Sequence, residues 1–277
     1  MPRTRSSALE LARRSALVIS LMALAGSAGA LFARQQFESS LARFARVNVS
    51  DASELSALRE KYGPHRNSEH VEEWIVRDFF GGERNGVFVD VGANHHQRFS
   101  NTYYLETVLN WSGVAIEPQT KFAEGYRKYR RNTTFVPLFV SDVSNQQATL
   151  YVTENDLVAS STREFTEAFG EVTPTETTTT TLDDVLTRLA VQRIDFLSMD
   201  IELAEPQALA GFSLERFEPR LIAVEAHLPI RQQLLDHFAR HDYVLVGRYW
   251  RVDSDNFWFA PAGSVSDGAP LVAEPAQ

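Results

Sequence analysis

The stretch Val87-Phe88-Val89-Asp90-Val91-Gly92-Ala93-Asn94 decides the fold of this chain. A short apolar, β-branched run meets an acidic residue and then a glycine, which predicts a buried strand that ends in a tight turn. In open α/β sheets, ligands bind at the carboxyl ends of the strands. We therefore expect Gly92 to let the backbone approach a bound molecule, and Asp90 to hold a hydroxyl or a cation.

A second apolar strand, Trp111-Ser112-Gly113-Val114-Ala115-Ile116, stops at Glu117 and Pro118. It ends about 25 residues after Asp90, close to the spacing at which nucleotide-binding α/β units place a carboxylate on ribose hydroxyls. The sequence contains neither G-x-G-x-x-G nor G-x-x-x-x-G-K-[ST], the glycine-rich motifs that bind phosphates. The two strands therefore predict a site for a nucleoside without phosphates.

Composition limits the class of protein further. The 277 residues are 44% hydrophobic, which allows one sizeable core with small additions. The formal net charge of -9 argues against nucleic-acid binding, because that function needs a basic surface. The chain has no cysteine, which excludes disulfides, thiolate zinc sites and cysteine nucleophiles.

Three further strands are expected to bring acidic side chains to the same sheet edge. A third strand over Thr134 to Val140 ends in Ser141 and Asp142, and a fourth over Ile194 to Met199 delivers Asp200, followed by Glu202 and Glu205. A fifth strand over Leu221 to Val224 delivers Glu225 and His227, whose side chains point the same way because strand side chains alternate.

Such a cluster of carboxylates and histidine can act in two ways. Mutual repulsion raises carboxylate pKa values, which makes a base, or else the group binds a divalent cation. Either device can deprotonate an acceptor hydroxyl. Glu205 also has a purely local interpretation, as a first-turn helix residue beside the helix starter Pro206.

The remaining elements are predicted from periodicity and turn signals. They are a helix from Ser68 that Gly81 and Gly82 stop, strands at Leu150 to Val152 and Thr175 to Thr181, a flap over the pocket from Asn155 to Gly170, and a helix from Arg231 to His241. An antiparallel pair, Tyr243 to Val246 with Phe257 to Phe259, ends the domain. Ser100-Asn101-Thr102 and Thr181 are predicted helix N-caps.

An ordered set of motifs carries a family resemblance. The motifs are Asp90 to Asn94, Ser100 to Glu106, Ile116 to Pro118, Ser141-Asp142, Thr181 to Leu186 and Leu197 to Glu205. Together they resemble the FkbM-type family of S-adenosylmethionine-dependent methyltransferases, in one order from about Trp74 to Ala260.

The resemblance implies an α/β fold of the Rossmann-like class I methyltransferase type, with a seven-stranded, mostly parallel sheet and a C-terminal antiparallel hairpin. It implies that S-adenosylmethionine is the cofactor, bound by Asp90, Gly92, Ala93, Asn94, Glu117 and Asp142, with the Asp142 carboxylate accepting from the adenine amine. Asp200, Glu202 and His227 are the candidate catalytic residues. A divalent cation stays open, and no metal ligand is assigned.

Two positions depart from the family pattern. Glycine is usual where this chain has His96 and Leu203, so both pocket loops carry extra bulk. His95 and His96 are either pocket residues, as a base or a hydrogen-bond donor to the acceptor, or a solvent-facing pair.

The N-terminal segment is expected to be separate from the fold. Ala16 to Ala33 form an uncharged, mostly apolar run with arginines on both sides, which fits the lower limit of ~17–25 residues for a membrane span. Length favours an uncleaved anchor over a signal peptide cleaved near Ala28-Gly29-Ala30 or a buried core helix. Flanking arginines give only a slight orientation bias, and the cytosolic origin of the donor places the domain on the cytoplasmic face.

The expected organisation is an anchor or signal segment at 1–35, a connector at 36–67, a methyltransferase domain at 68–260 and a disordered tail at 261–277. The expected activity is O-methylation of a sugar or small-metabolite hydroxyl, with a glycan or small molecule as acceptor, no nucleic-acid partner and no expectation for oligomeric state. Two alternatives stay open: an inactive methyltransferase-like interaction module at the membrane, and a nucleotide-dependent oxidoreductase.

Overall fold

The computed structural model describes residues 52–63, 66–154, 158–250, 252–253 and 255–265. Its strands are β1 Val87–Val91, β2 Ser112–Ile116, β3 Thr133–Val136, β4 Phe139–Val140, β5 Gln147–Thr153, β6 Ala159–Ser160, β7 Val172–Thr180, β8 Phe196–Met199, β9 Leu221–Glu225, β10 Tyr243–Leu245 and β11 Asn256–Pro261. Its α-helices are α1 Ala52–Tyr62, α2 Glu72–Phe80, α3 Tyr103–Thr107, α4 Ala123–Tyr129, α5 Arg163–Glu167, α6 Leu182–Arg188, α7 Glu205–Ala210, α8 Leu214–Phe217, α9 Arg231–Arg240 and α10 Gly247–Trp250.

Seven strands form the main sheet, in the order β10-β11-β9-β8-β1-β2-β3. Strands β3, β2, β1, β8 and β9 pair in parallel, whereas β11 pairs antiparallel with both β9 and β10. The prediction of a seven-stranded, mostly parallel α/β sheet with a C-terminal antiparallel pair is therefore confirmed. The carboxyl ends of β1, β2, β8 and β9 lie along one edge, where acidic residues follow the strands.

The prediction that Thr134 to Val140 form a single strand, the third in the chain, was wrong. Pro137 has no N–H for the ladder, and β3 ends at Val136, directly before it. Phe139 and Val140 form β4, which pairs with β7 in a second sheet of order β4-β7-β5-β6. The predicted strands at Leu150 to Val152 and in the threonine run are present as β5 and β7 of this second sheet.

The core on one face of the main sheet includes α1, although its residues fall within the predicted connector at 36–67. Leu58 of α1 is buried with Trp74, Ile75 and Phe79 of α2, against strand residues such as Phe88. Lys61 of α1 also bonds Asp78 of α2 at 3.0 Å. The packed domain therefore begins before the predicted boundary at residue 68, because the apolar face of α1 contacts the core.

The C-terminal boundary also differs from the prediction. Pro261 pairs with Tyr243 in the β10–β11 ladder, and Val265 is buried in the core. The packed domain thus extends through the first five residues of the predicted tail, and residues 266–277 lie outside the described part.

The segments at residues 1–35, including the predicted membrane anchor, also lie outside the described residues. Among the residues that the structure does describe, no helix combines the length and the apolar character that crossing a bilayer requires.

Candidate active site

A cavity of about 310 Å³ lies at the carboxyl edge of the main sheet. Its walls include the predicted donor-binding residues Asp90, Gly92, Ala93, Asn94 and Glu117, and the predicted reactive residues Asp200 and Glu202. Part of the cavity is closed by Val158, Ala159 and Phe169, which belong to the second sheet and the segment after it. This segment is the one predicted to form a flap. The cavity therefore brings together most of the side chains that the sequence placed at this edge.

Asp90 is buried at the end of β1, and a network of polar side chains holds its carboxylate. Thr102 donates its hydroxyl to Asp90 Oδ2 at 2.8 Å. Burial raises the pKa of Asp90 to about 6, although the Thr102 hydrogen bond and the positive charge of Arg130 act against the rise. Thr102 is the N-cap residue of helix α3, as predicted for the stretch Ser100-Asn101-Thr102, but its side chain makes no cap bond, because its hydroxyl bonds Asp90 instead.

Arg130 is a residue that sequence reasoning missed. It is 1% exposed and donates to Thr102 Oγ1 at 3.1 Å, to Ser100 Oγ at 3.3 Å and to the carbonyl oxygen of His96 at 2.9 Å. Its guanidinium also forms a short ion pair with the buried Glu106. Arg130 thus holds the loop after β1 through these hydrogen bonds and orients the Thr102 hydroxyl toward Asp90.

Gly92 forms the turn at the end of β1, with φ at 81°. A Cβ atom at this position would lie 1.7 Å from the carbonyl oxygen of Asp200. Gly92 lines the cavity, so the expectation that it lets a ligand approach the backbone stays a prediction, and the structure adds a second reason for glycine. The backbone of the neighbouring β8 loop approaches Gly92, so the fold itself requires glycine here.

Glu117 ends β2 and is 4% exposed. Its two oxygens accept from backbone N–H groups, Oε1 from Gln119 at 2.8 Å and Oε2 from Asn94 at 3.2 Å. Burial raises the pKa of Glu117 to about 7, and these hydrogen bonds oppose that shift. Glu117 therefore joins the loops after β1 and β2 and presents a preorganised carboxyl group to the cavity.

Asp142 does not share this placement. Its side chain is exposed, lies outside the cavity walls and accepts from Gln207 Nε2 at 2.9 Å and from Ser141 Oγ at 3.0 Å. The hydrogen bond from Gln207, and after it the one from Ser141, lowers the pKa of Asp142. Leu138, Phe139 and Val140 line the corresponding wall with apolar surface instead. Binding of adenine by Asp142 stays a prediction.

Two carboxylates that line the cavity, Glu202 and Glu225, contact the imidazole of His227, which is not itself part of the cavity walls. His227 Nε2 lies 2.9 Å from Glu225 Oε1 and 3.0 Å from Glu202 Oε2. Hydrogen bonds to Glu202 and Glu225 raise the pKa of His227 to about 10. The expectation that Glu225 and His227 point the same way is confirmed, since both reach one location from the end of β9.

Asp200 is open to the cavity on one side and surrounded by protein on the others. This enclosure, then the negative charges of Glu225, Glu202 and Glu205, raises the pKa of Asp200 well above its usual range. Glu205 is fully buried as the first residue of α7, and its Oε1 accepts from Ile201 N at 2.9 Å. The local helix-start interpretation of Glu205 therefore describes its structural position.

The loop between Asp200 and Glu205 carries two left-handed residues. Glu202 has φ at 57° and Leu203 has φ at 79°, a conformation that favours glycine. Leu203 thus occupies a position suited to the glycine of the family pattern and accepts backbone strain. Ser160 donates to the carbonyl oxygen of Glu202 at 2.6 Å, which holds the loop in this form.

His95 and His96 lie outside the walls of this cavity. The His96 ring stacks on Tyr129 at 5.0 Å between ring centroids, and its φ is not positive. His95 Nδ1 accepts from the backbone N–H groups of Gln97 and Arg98 at 3.1 and 3.0 Å. Neither histidine is therefore part of this cavity, and the bulk of His96 does not enter it.

A solved structure and a family model are similar to parts of this chain. The crystal structure of a protein described as a "putative RNA methyltransferase" from Pyrococcus horikoshii is similar with a TM-score of 0.37 and 11% identity, over 69% of this chain and 79% of that one. No curated protein sequence matches the chain. The model of the methyltransferase FkbM domain matches residues 90–245, which is more than half of the sequence. The match starts at Asp90 and includes every candidate site residue, so the chain belongs to the FkbM methyltransferase family.

Proposed function

We propose that this protein uses S-adenosylmethionine to methylate a hydroxyl oxygen of a sugar or a small metabolite, on a Rossmann-like class I methyltransferase fold. One observation supports the proposal above the others. Two buried carboxyl groups, Asp90 and Glu117, end adjacent parallel strands at one side of a cavity, and the Glu202, Glu225 and His227 group stands at its other end.

The residues present suit the donor. The two Glu117 oxygens accept from two backbone N–H groups and from the Gln119 side chain, which leaves capacity to accept from a ribose hydroxyl as well. Ile116, Leu138 and Phe139 provide an apolar wall for a base. The cavity volume of about 310 Å³ falls at the lower end of the ~300–1,000 Å³ typical of small-molecule sites.

When bound, S-adenosylmethionine supplies a methyl carbon activated by a sulfonium group. The chain supplies alignment and a proton acceptor. Glu202, held by His227 and by the Ser160 contact to its backbone, is placed to accept the proton of an acceptor hydroxyl. Asp200, open to the same space, is placed to orient that hydroxyl through a hydrogen bond.

A sugar or small-metabolite acceptor, including a glycan, is proposed because the net charge of -9 is unfavourable for a nucleic acid. Membrane attachment is proposed from residues 16–33 alone, with the domain on the cytoplasmic side and a cleaved signal peptide as the alternative. A single-pass anchor would suit envelope or lipid-linked glycans.

The test is calorimetric titration of the full chain with S-adenosylmethionine and S-adenosylhomocysteine. We expect micromolar binding that weakens at least tenfold in Glu117→Gln and in Asp90→Asn. Glu124→Gln is the matched control, because Glu124 is exposed on α4 and its nearest cation, Arg127, is 4.0 Å away.

Absence of donor binding in the intact chain would contradict the proposal and favour an inactive interaction module. A thermal shift with NAD(P) in place of the donor would favour an oxidoreductase instead.

A further inference from the structure

The polar atoms at the Glu202, Glu225 and His227 group meet at one location rather than forming separate pairs. His227 Nε2 faces oxygens from both Glu202 and Glu225, at 3.0 and 2.9 Å, and the three potential ligand atoms all lie within 4.8 Å of one another. A ring nitrogen carries at most one proton, which cannot point directly at two carboxylates. The two carboxylate oxygens therefore share at most one N–H donor from this nitrogen.

The charge around this location is also unbalanced. Asp200, Glu202 and Glu225 are three acidic residues that line the same cavity, whereas His227 contributes at most one positive charge. A compact group with this excess of negative charge is stabilised by a cation.

Glu205 gives an independent indication from the buried side. Its side chain is 0% exposed, and its Oε2 has no hydrogen-bond partner among the residues that the structure describes. Its other oxygen, Oε1, accepts from the backbone N–H of Ile201 at 2.9 Å, and Ile201 directly precedes Glu202 of the group. Leaving a buried carboxylate oxygen unsatisfied is unfavourable, so a positive partner near this oxygen is expected.

We propose that Glu202, Glu225 and His227 bind a divalent cation, with Glu205 supplying negative charge from behind. Mixed carboxylate and imidazole ligands suit a first-row ion such as Mn²⁺. In an octahedral site with bonds of ~2.1 Å, adjacent ligand atoms lie ~3.0 Å apart. The two observed separations of 2.9 and 3.0 Å match that geometry before any ion is placed.

The role of the ion rests on the proposed function, whereas its binding does not. Glu202 and Glu225 line the cavity, so an ion that they hold would contact an acceptor hydroxyl there. The ion would lower the pKa of that hydroxyl, whose proton would pass to Asp200 or to water before its oxygen attacks the methyl carbon. The carbon–sulfur bond would break as the carbon–oxygen bond forms, and sulfur would keep the electron pair.

The test titrates the chelator-treated full chain with Mn²⁺ in the absence of S-adenosylmethionine. Electron paramagnetic resonance measures how much Mn²⁺ stays free at each step. We expect one site per chain with micromolar affinity, at least tenfold weaker in Glu225→Gln and Glu202→Gln. Glu215→Gln is the matched control, because Glu215 also pairs with a histidine, His241, but lies outside the cavity. It should bind as the wild type does.

A second readout keeps the test decisive if the glutamine variants unfold. Pulsed resonance of the bound Mn²⁺ should show nitrogen coupling in the wild type and lose it in His227→Gln. Absence of one-to-one binding, equal affinity in the cavity variants and Glu215→Gln, or no nitrogen coupling would each overturn the metal site. Because no donor is present, these outcomes are independent of whether the protein binds S-adenosylmethionine.

Discussion

Gly92 shows how one residue supports both the fold and the candidate site. We predict that Gly92→Ala lowers the free energy of unfolding by more than about 2 kcal/mol, since alanine adds strain at φ 81° and a Cβ that overlaps the Asp200 carbonyl. Urea unfolding at pH 7 measures this loss. Gly263→Ala is the control, because a Cβ there has no neighbour within 4 Å. Equal stability of the two variants would show that the loops separate easily.

Single residues also show where prediction from the sequence reaches its limit. Asp90, Glu117, Asp200 and Glu225 were predictable, because each directly follows or ends an apolar run and parallel strands bring such ends together. Arg130 was not predictable. It stands in a basic stretch with Arg127, Lys128 and Arg131, which reads as a solvated surface, and only the tertiary structure buries one member of that stretch.

At the scale of elements, the short segments explain most differences from the prediction. The main strands have clear apolar patterns, so the sequence predicts them, whereas their order comes from the structure. The second sheet depends on the pairing of β4, two residues long, with β7, far along the chain. No periodicity is measurable over two residues, although Pro137 did mark the break before them.

The segment from Val158 to Phe169 is the element best placed to cover a bound donor. Phe169 is 56% exposed and lines the cavity, next to Phe165 at 5.2 Å between ring centroids. We predict that Phe169→Ala weakens binding of S-adenosylhomocysteine about fivefold, through loss of about 1 kcal/mol of apolar contact. The melting temperature should change little, because the ring is largely exposed without ligand.

Calorimetry beside Val143→Ala checks this prediction. Val143 is 44% exposed and lies outside the cavity walls, so its variant controls for loss of surface apolar area. Unchanged affinity in Phe169→Ala would mean that the segment does not close over the donor.

At the scale of the whole molecule, the cavity places several carboxyl groups where burial opposes their charge. Asp90 and Glu117 have pKa values raised to about 6 and about 7 by burial. The folded protein therefore holds protons that the unfolded chain releases at lower pH. Such groups stabilise the fold least at neutral pH, so the site carries a cost in stability that binding of a ligand can offset.

Glu117→Gln isolates this cost for one group. The stability that protonated Glu117 contributes is fully present below its unfolded pKa of 4.5, and it is lost as the pH rises through about 7. At ~1.4 kcal/mol per pH unit, the stability of Glu117→Gln relative to the wild type should rise by about 3 kcal/mol between pH 4.5 and 8. Any misplaced amide hydrogen bond in the variant adds a constant offset, so the slope with pH is the informative quantity. Urea unfolding at several pH values, with chelator and without donor, measures that slope. If the stability difference between Glu117→Gln and the wild type did not change with pH, Glu117 would be ionised throughout and would already pair with a cation in the fold.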